Sequence, residues 1–371
     1  MAHMDILLTI LAATVVLGFL VFIHEGGHYL AARAFGVRVS EFMIGLPGPN
    51  VGVQHGETKF GLTAIPLGGY ARVCGMEPGE MSPHLKAVMA SVYARGTAIM
   101  EDVAADCGIT DDEAYDALEE LVEWGTVTGP KKSDEYNVYR TTASSLTRRQ
   151  KRKLLASGQP VHDRKEGEPD RLEDPDAFFN KEYRQQYRSL PSWRRIVILL
   201  AGPGVNLLFA MIAFVLIYSV IGFDYQNAEG VVQHVTVSPL RAVEAGFTYI
   251  AMVVQAVIGL FNPQTAAETV SQSTSIVGIA VMSKSAFEAG LVSVLSFTAM
   301  LSVSLGIMNL LPIPPLDGGR FVIEVYQRIR RKAVGERAMS YLSFAGMALF
   351  MLFFIVMMNQ DIQRFVFGNW S

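Results

Sequence analysis

The chain has 371 residues, half of them hydrophobic and only 18% charged, with a net charge of −4 and a mean hydropathy of +0.29. Soluble proteins carry about a quarter charged residues, so an ordinary soluble fold is excluded, while the small net charge argues neither for nor against nucleic acid. Two cysteines, Cys74 and Cys107, form no framework of spacings, which excludes a disulfide scaffold and a cysteine zinc site.

The apolar excess is concentrated in four runs, each long enough to cross a bilayer, which takes about 20 residues. They are 6–23, 196–222, 291–316 and 341–358. A weaker stretch at 245–261 is short and punctuated by glycine, and reads as an interfacial helix. The first run has no Lys or Arg ahead of it and no small-residue cleavage site after it, so it is a retained helix and not a signal peptide. Basic residues set the orientation. Arg33, Arg38, "RRQKRK" (148–153), Arg194 and Arg195 lie between the first two spans, and "RIRRK" (328–332) lies between the last two. Residues 33–195 and 317–340 are therefore expected on the cytoplasmic side, with both chain ends outside.

The first span ends in "FIHEGGHYL", 22–30. Residues four apart share a helix face, so His24 and His28 can point two imidazoles at one metal ion with Glu25 beside them. This is the H-E-x-x-H pattern, in which two histidines hold zinc and the glutamate is the general base. Gly26 and Gly27 would each cost a soluble helix roughly 1 kcal/mol, but in a bundle such residues admit a neighbouring backbone. A catalytic zinc takes a third protein ligand. The other histidines (3, 55, 84, 162 and 234) lie in termini or polar loops, whereas Asp317 in "NLLPIPPLDGGRF" follows an uncharged run. An acid at membrane depth is expensive without a partner. Prolines 312, 314 and 315 break the helix, and Gly318 and Gly319 free the backbone to turn Asp317 inward.

These pieces together resemble the site-2 protease family of intramembrane zinc metalloproteases in its bacterial form. The matching residues are "HEGGH" (24–28), "FMIGLPGP" (42–49), "GETKFGLTAIPLGGYARVCG" (56–75), "AGPGVN" (201–206), "SIVGIA" (275–280) and "LGIMNLLPIPPLDGG" (305–319). The resemblance implies zinc on His24, His28 and Asp317 with Glu25 as base. It implies contact of Asn309 with the substrate backbone, and for Asn206 either packing or substrate contact. It also reads 50–73 as a re-entrant β-hairpin dipping towards the zinc. There Thr63, Ala64, Ile65, Gly68 and Gly69 would bind the extended substrate by strand addition. Substrates would be single-span membrane proteins, of the anti-sigma-factor kind, or signal-peptide remnants. Many bacterial relatives carry PDZ domains between the second and third spans. The interval here, 223–245, is too short for one, and "EGVVQHVTVSP" reads as a strand with nothing to pair with.

Residues 81–142 have a soluble, globular pattern. Apolar positions 85, 88, 89, 92 and 93 mark a first helix, 99–109 a second, and Thr110–Glu113 a capping box opening a third with Tyr115, Leu118, Leu121 and Val122 on one face. "TVTGPKKSDEYNVYRT" reads as a hairpin, so the insert resembles a winged helix. Its third helix is acidic, and no Lys or Arg occurs between 101 and 130. Phosphate neutralisation drives DNA affinity, so this face would repel a duplex and a regulatory protein is the expected partner. Residues 143–190 read as a polar linker.

The expected fold is thus an α-helical polytopic membrane protein: four transmembrane helices with a re-entrant β-hairpin and a small α+β winged-helix-like insert. Four regions are expected: 1–80 with the first span and the hairpin, the insert 81–142, the linker 143–190, and 191–371 with the other three spans. A metal transporter would show inverted repeats, and none is seen. The alternative to a protease is a non-catalytic membrane sensor signalling through the insert, for which Glu25 would be dispensable.

Overall fold

The computed structural model describes residues 2–65, 68–76, 80–143, 152, 155–156, 163–226, 231–332 and 334–367. Pro66, His162 and all of the basic run 148–153 but Arg152 lie outside the described residues.

The first apolar run forms α1, Ala2–Ala34. A four-stranded mixed sheet follows: β1 (Val39–Ile44), β2 (Asn50–His55), β3 (Thr58–Thr63) and β4 (Gly69–Val73), in the spatial order β2-β3-β1-β4. β2 and β3 pair antiparallel as a hairpin within this larger sheet. β1 runs parallel to β3 with Phe42 opposite Phe60, and antiparallel to β4 with Met43 opposite Tyr70. Rings of Phe42 and Phe60 lie 5.7 and 5.5 Å from that of Tyr29, which seats the sheet on α1.

The insert consists of α2 (Leu85–Arg95), β5 (Thr97–Ile99), α3 (Met100–Cys107), α4 (Asp111–Glu123), β6 (Val127–Thr128) and β7 (Val138–Thr141). The strands form a sheet ordered β5-β7-β6. Leu85, Val88, Met89, Val92 and Tyr93 are all buried, as the spacing of α2 predicts. On α4 the capping box is formed and Leu118 and Leu121 are buried, but Tyr115 is exposed and Ala114 and Ala117 fill the inner face instead. Residues 163–190 do not run as a bare linker. Gly167 N–H donates to Thr141 O and Asp170 N–H to Tyr93 O, and α5 (Pro175–Tyr183) lays Phe178, Phe179 and Tyr183 against the Trp124 and Tyr93 rings.

The remaining chain forms α6 (Ser192–Val215, extended by a π-helical turn to Ile221), the strands β8 (Phe223–Gln226) and β9 (Val232–Val235), then α7 (Pro239–Gly259), α8 (Ala266–Gln272), α9 (Ile276–Ala289), α10 (Leu291–Asn309), α11 (Asp317–Arg330) and α12 (Glu336–Asp361). The strand within "EGVVQHVTVSP" does have a partner: β9 pairs antiparallel with β8. Among the described residues five helices are long and apolar enough to cross a membrane, Pro239–Gly259 joining the four expected spans by length and composition. The bundle is inside out relative to a soluble one. Ile6, Leu7, Phe344 and Tyr341 face outward, while Ala13, Asn206, Ala210, Ser302 and Ala299 are buried. Lipid is as apolar as leucine, so small and polar residues go to the helix contacts.

Contacts fix which helix ends lie together. α6 runs antiparallel to α1, with Phe209 beside Phe19 (5.1 Å) and Ala201 against Gly27. α10 runs antiparallel to α6, with Ser302 Oγ donating to Asn206 O and Gly306 beside Pro203. α7 starts at the C-terminal end of α6, where Val237 N–H donates to Tyr218 O. α9 lies at that same end, because Lys284 pairs with Asp5 at the start of α1. Asp361, at the end of α12, joins them there by accepting from Ser275 N–H and Gly278 N–H. The segment 239–289 therefore leaves one end of the bundle and returns to it.

Candidate metal centre

His24 and His28 project from one face of α1, and Asp317 is the first residue of α11. The chain break that frees Asp317 is the proline-rich turn between α10 and α11, where no helix can continue. Asp317 Oδ2 lies 3.2 Å from His24 Nε2 and 3.2 Å from His28 Nε2. One donor atom from each residue falls within 4.8 Å of the others. Two ligands held at about 2.1 Å in a tetrahedral shell would be about 3.4 Å apart, so the three groups could hold one cation.

Tautomers support the same reading. His28 Nδ1 lies 2.8 Å from Ile198 O, and a carbonyl can only accept, so Nδ1 carries the proton. On a neutral ring Nε2 then presents a lone pair towards Asp317 Oδ2, an arrangement that suits a cation between them. His24 Nδ1 meets the Asn206 side-chain amide at 3.2 Å, and the amide Oδ1 of this fully buried residue has no partner. Amide orientation is an assignment. Turned over, Oδ1 accepts from Nδ1–H and leaves the Nε2 lone pair facing Asp317. Metal-bound imidazoles ordinarily donate their second N–H in this way.

Backbone packing makes these contacts possible. A side chain at Gly202 would overlap the His28 ring, and one at Gly27 would come within 2.5 Å of Ala201 O. Gly26, by contrast, has open space around its Cα, so of the two adjacent glycines only Gly27 serves the α1–α6 contact.

Glu25 points to the sheet, where its Oε2 accepts from Ala71 N–H at 2.9 Å. The close approach is set by Gly69, where a Cβ would stand 2.5 Å from Val21 and 3.3 Å from the Glu25 side chain. β4 is an outer strand, with only β1 beside it. The other residues expected at the site are placed as follows. Asn309 is half-buried and its amide donates to Leu305 O of its own helix. Thr63 is buried on β3, an inner strand, near Ile44 O and Ile65 O. Ala64, Ile65 and Gly68 are exposed in the loop before β4, where Ile65 O and Gly68 O accept from Leu46 and Gly45. Ala71, Ile198 and Gly202 were not anticipated, since each acts through backbone that carries no side-chain signal.

A second set of contacts ties the sheet to the insert. Arg38, just before β1, is buried and reaches Glu182 of α5 at 2.7 Å, Gln185 at 3.1 Å, and the carbonyls of Trp124 and Gly125 at 3.3 Å. Cys74, after β4, is also buried, and burial pushes its thiol up to about 11, so it is not a nucleophile.

The sequence matches the profile of peptidase family M50 over residues 12–353. The chain belongs to this family. M50 relatives resemble it along almost the whole length. The regulator of sigma-W protease RasP of Bacillus subtilis is 25% identical, covering 96% of this chain and 98% of its own. A zinc metalloprotease RasP of Oceanobacillus iheyensis is 26% identical over 96% and 99%, and the putative zinc metalloprotease Cj1068 of Campylobacter jejuni 23% over 96% and 94%. As an M50 peptidase the chain is a zinc metalloprotease of the site-2 type and a multi-pass membrane protein. Two imidazoles and one carboxylate suit the zinc that this family uses.

Proposed function

We propose that this M50 peptidase cuts transmembrane segments of single-span membrane proteins, anti-sigma-factor-like proteins or signal-peptide remnants, within the bacterial cytoplasmic membrane. The observation that carries the proposal is the convergence of His24, His28 and Asp317 at 3.2 Å, with Glu25 held beside them by β4. With four net crossings, α1, α6, α10 and α12, both chain ends share one side, and the Lys/Arg distribution supports 33–195 and 317–340 as cytoplasmic and the ends as external. That the segment 239–289 begins and ends at one end of the bundle supports this count.

In this reading His24, His28 and Asp317 would hold a zinc ion, which would supply Lewis acidity to a water and to the scissile carbonyl. Asn206 and the Ile198 carbonyl orient the two imidazoles. Glu25, with Oε2 fixed by Ala71, uses its other oxygen to take the water proton and pass it to the leaving amine. A transmembrane helix hides its carbonyls in its own hydrogen bonds, and freed groups in lipid each cost several kcal/mol. The unwound substrate needs new partners, and the outer edge of β4 offers them. Gly69 lies on the same side of the strand as Ala71 by the two-residue period. Ala64, Ile65 and Gly68 flank the entry, with Thr63 behind them, and Asn309 reaches the substrate by releasing Leu305 O.

The insert, with its element order α2-β5-α3-α4-β6-β7, is a winged-helix-like regulatory module. Its acidic α4 suits a protein partner and not nucleic acid, and Arg38 links it to the catalytic sheet.

Wild type and Glu25→Gln, purified in detergent, test the proposal by zinc content and cleavage of a model single-span substrate. Both should hold about one zinc per chain, and only wild type should cut. Zinc in both with cleavage by neither would favour the sensor, and no zinc in either would remove the site.

A further inference from the structure

A cavity of about 580 Å³ opens between the start of α6 and the end of α11, lined among others by Ser192, Arg195, Glu324, Arg328, Arg331 and Lys332. Glu324 is buried and neutralised by Arg195 at 3.3 Å. Arg328, Arg331 and Lys332 are exposed and have no ion-pair partner among the described residues. The cavity thus presents three uncompensated cations around a space large enough for a small ligand, which takes roughly 300–1,000 Å³. Arg331 is held at a φ of 54°, which turns the chain after α11 and gathers the three cations at one mouth.

Two neighbouring features place this mouth at a membrane surface. Trp193, next to Ser192, is exposed, stands 5.6 Å from the Phe35 ring, and shares with it the Arg194 guanidinium at 5.1 and 5.5 Å. Aromatic rings with arginine at the end of an apolar helix mark the headgroup level. On α11, Val322, Tyr326 and Ile329 are exposed at spacings of four and three, an apolar stripe on the face of the helix opposite the cavity residues Glu324, Gln327 and Arg328. An amphipathic helix of this kind lies in the interface with its apolar face in the acyl boundary and its cations among the headgroups.

We infer that this cavity binds the phosphate of an anionic phospholipid headgroup. The ligand would bridge α6, which carries Ile198, and α11, which begins with Asp317, so it would brace the two helices that frame the metal centre. The inference rests on the chain being a membrane protein and not on its cleaving anything.

The test is the melting temperature of the purified full chain in neutral detergent with phosphatidylglycerol, phosphatidylcholine or inorganic phosphate at equal concentration. A ligand bound by the native state alone raises the melting point. Phosphatidylglycerol should raise it by several degrees, and the other two should not. The triple variant Arg328→Gln, Arg331→Asn, Lys332→Gln should lose that rise and bind the lipid at least tenfold more weakly. Asparagine tolerates the backbone of position 331, and all three side chains are exposed, so the fold should survive. A control that removes the same charge from the insert, Lys131→Gln, Lys132→Gln, Lys181→Gln, should keep the rise. An equal rise with inorganic phosphate would overturn the lipid in favour of a soluble phosphate ligand. No rise with either, or an undiminished rise in the triple variant, would overturn the site itself. None of these readouts needs proteolysis, so failure here leaves the protease reading untouched.

Discussion

The Glu25 carboxylate accepts a hydrogen bond from the backbone N–H of Ala71, 46 positions further along the chain and on the outer strand of the sheet. On the proposed mechanism, removing that donor alone should disable Glu25 as the base without touching His24, His28 and Asp317. Proline has no N–H and is tolerated on outer strands where the N–H is not in the ladder. Ala71→Pro should therefore keep its zinc and lose at least tenfold in cleavage rate, measured on the same single-span substrate as wild type.

Two glycines separate packing from mere composition. Gly202→Ala places a methyl group against the His28 ring and should lower bound zinc well below one per chain, read by metal analysis. Gly26→Ala meets open space and should leave zinc content and activity unchanged.

The Asn206 side chain meets the His24 imidazole at 3.2 Å. Loss of such a partner typically weakens metal binding by about 10–100-fold. Asn206→Ala should show that loss in a competition titration with a zinc chelator, while Asn206→Asp, which keeps an acceptor, should retain most of the affinity.

The Arg38–Glu182 pair is buried on both sides. Breaking it leaves an uncompensated charge, at a typical cost of about 3–5 kcal/mol. Arg38→Met should lower the unfolding midpoint of the insert in urea, and Glu182→Leu added to it should restore part of the loss. If the double variant were no better than the single one, the pair would not be the junction.

Asp106 is held down to about 2 by hydrogen bonds from Arg95 and Ser91, and Asp134 to about 2 by Arg140 and the Lys131 amide. Each folded-state value lies below that of the unfolded chain, about 3.9. The stabilisation is thus present above that value and lost as the pH falls towards 2. Helicity melts at pH 5, 4 and 3 should show the midpoint falling in this window, and Arg95→Gln should flatten the fall.

Much of this site is legible in one dimension. His24 and His28 are one helical turn apart, so their convergence follows from the pitch of α1, and Asp317 stands out because a carboxylate at the end of an uncharged run is costly. The Thr110–Glu113 box and the inner face of α2 are equally local, fixed by spacings of three and four residues. The helix Pro239–Gly259 was the borderline case, since its hydropathy sits below that of the other four.

The rest required the fold. That β1 lies between β3 and β4, that α5 docks on Trp124, that Asn206 meets His24 and Ala71 meets Glu25 are contacts between groups 18 or more positions apart or between backbone atoms with no side chain to announce them. Residue types and local spacing decided that this chain is a membrane helix bundle carrying a zinc-binding motif and a soluble insert. Only tertiary packing decided which amide holds Glu25, which carbonyl holds the His28 imidazole and which strand lies beside them, because these follow from the close approach of distant backbones at Gly27, Gly69 and Gly202.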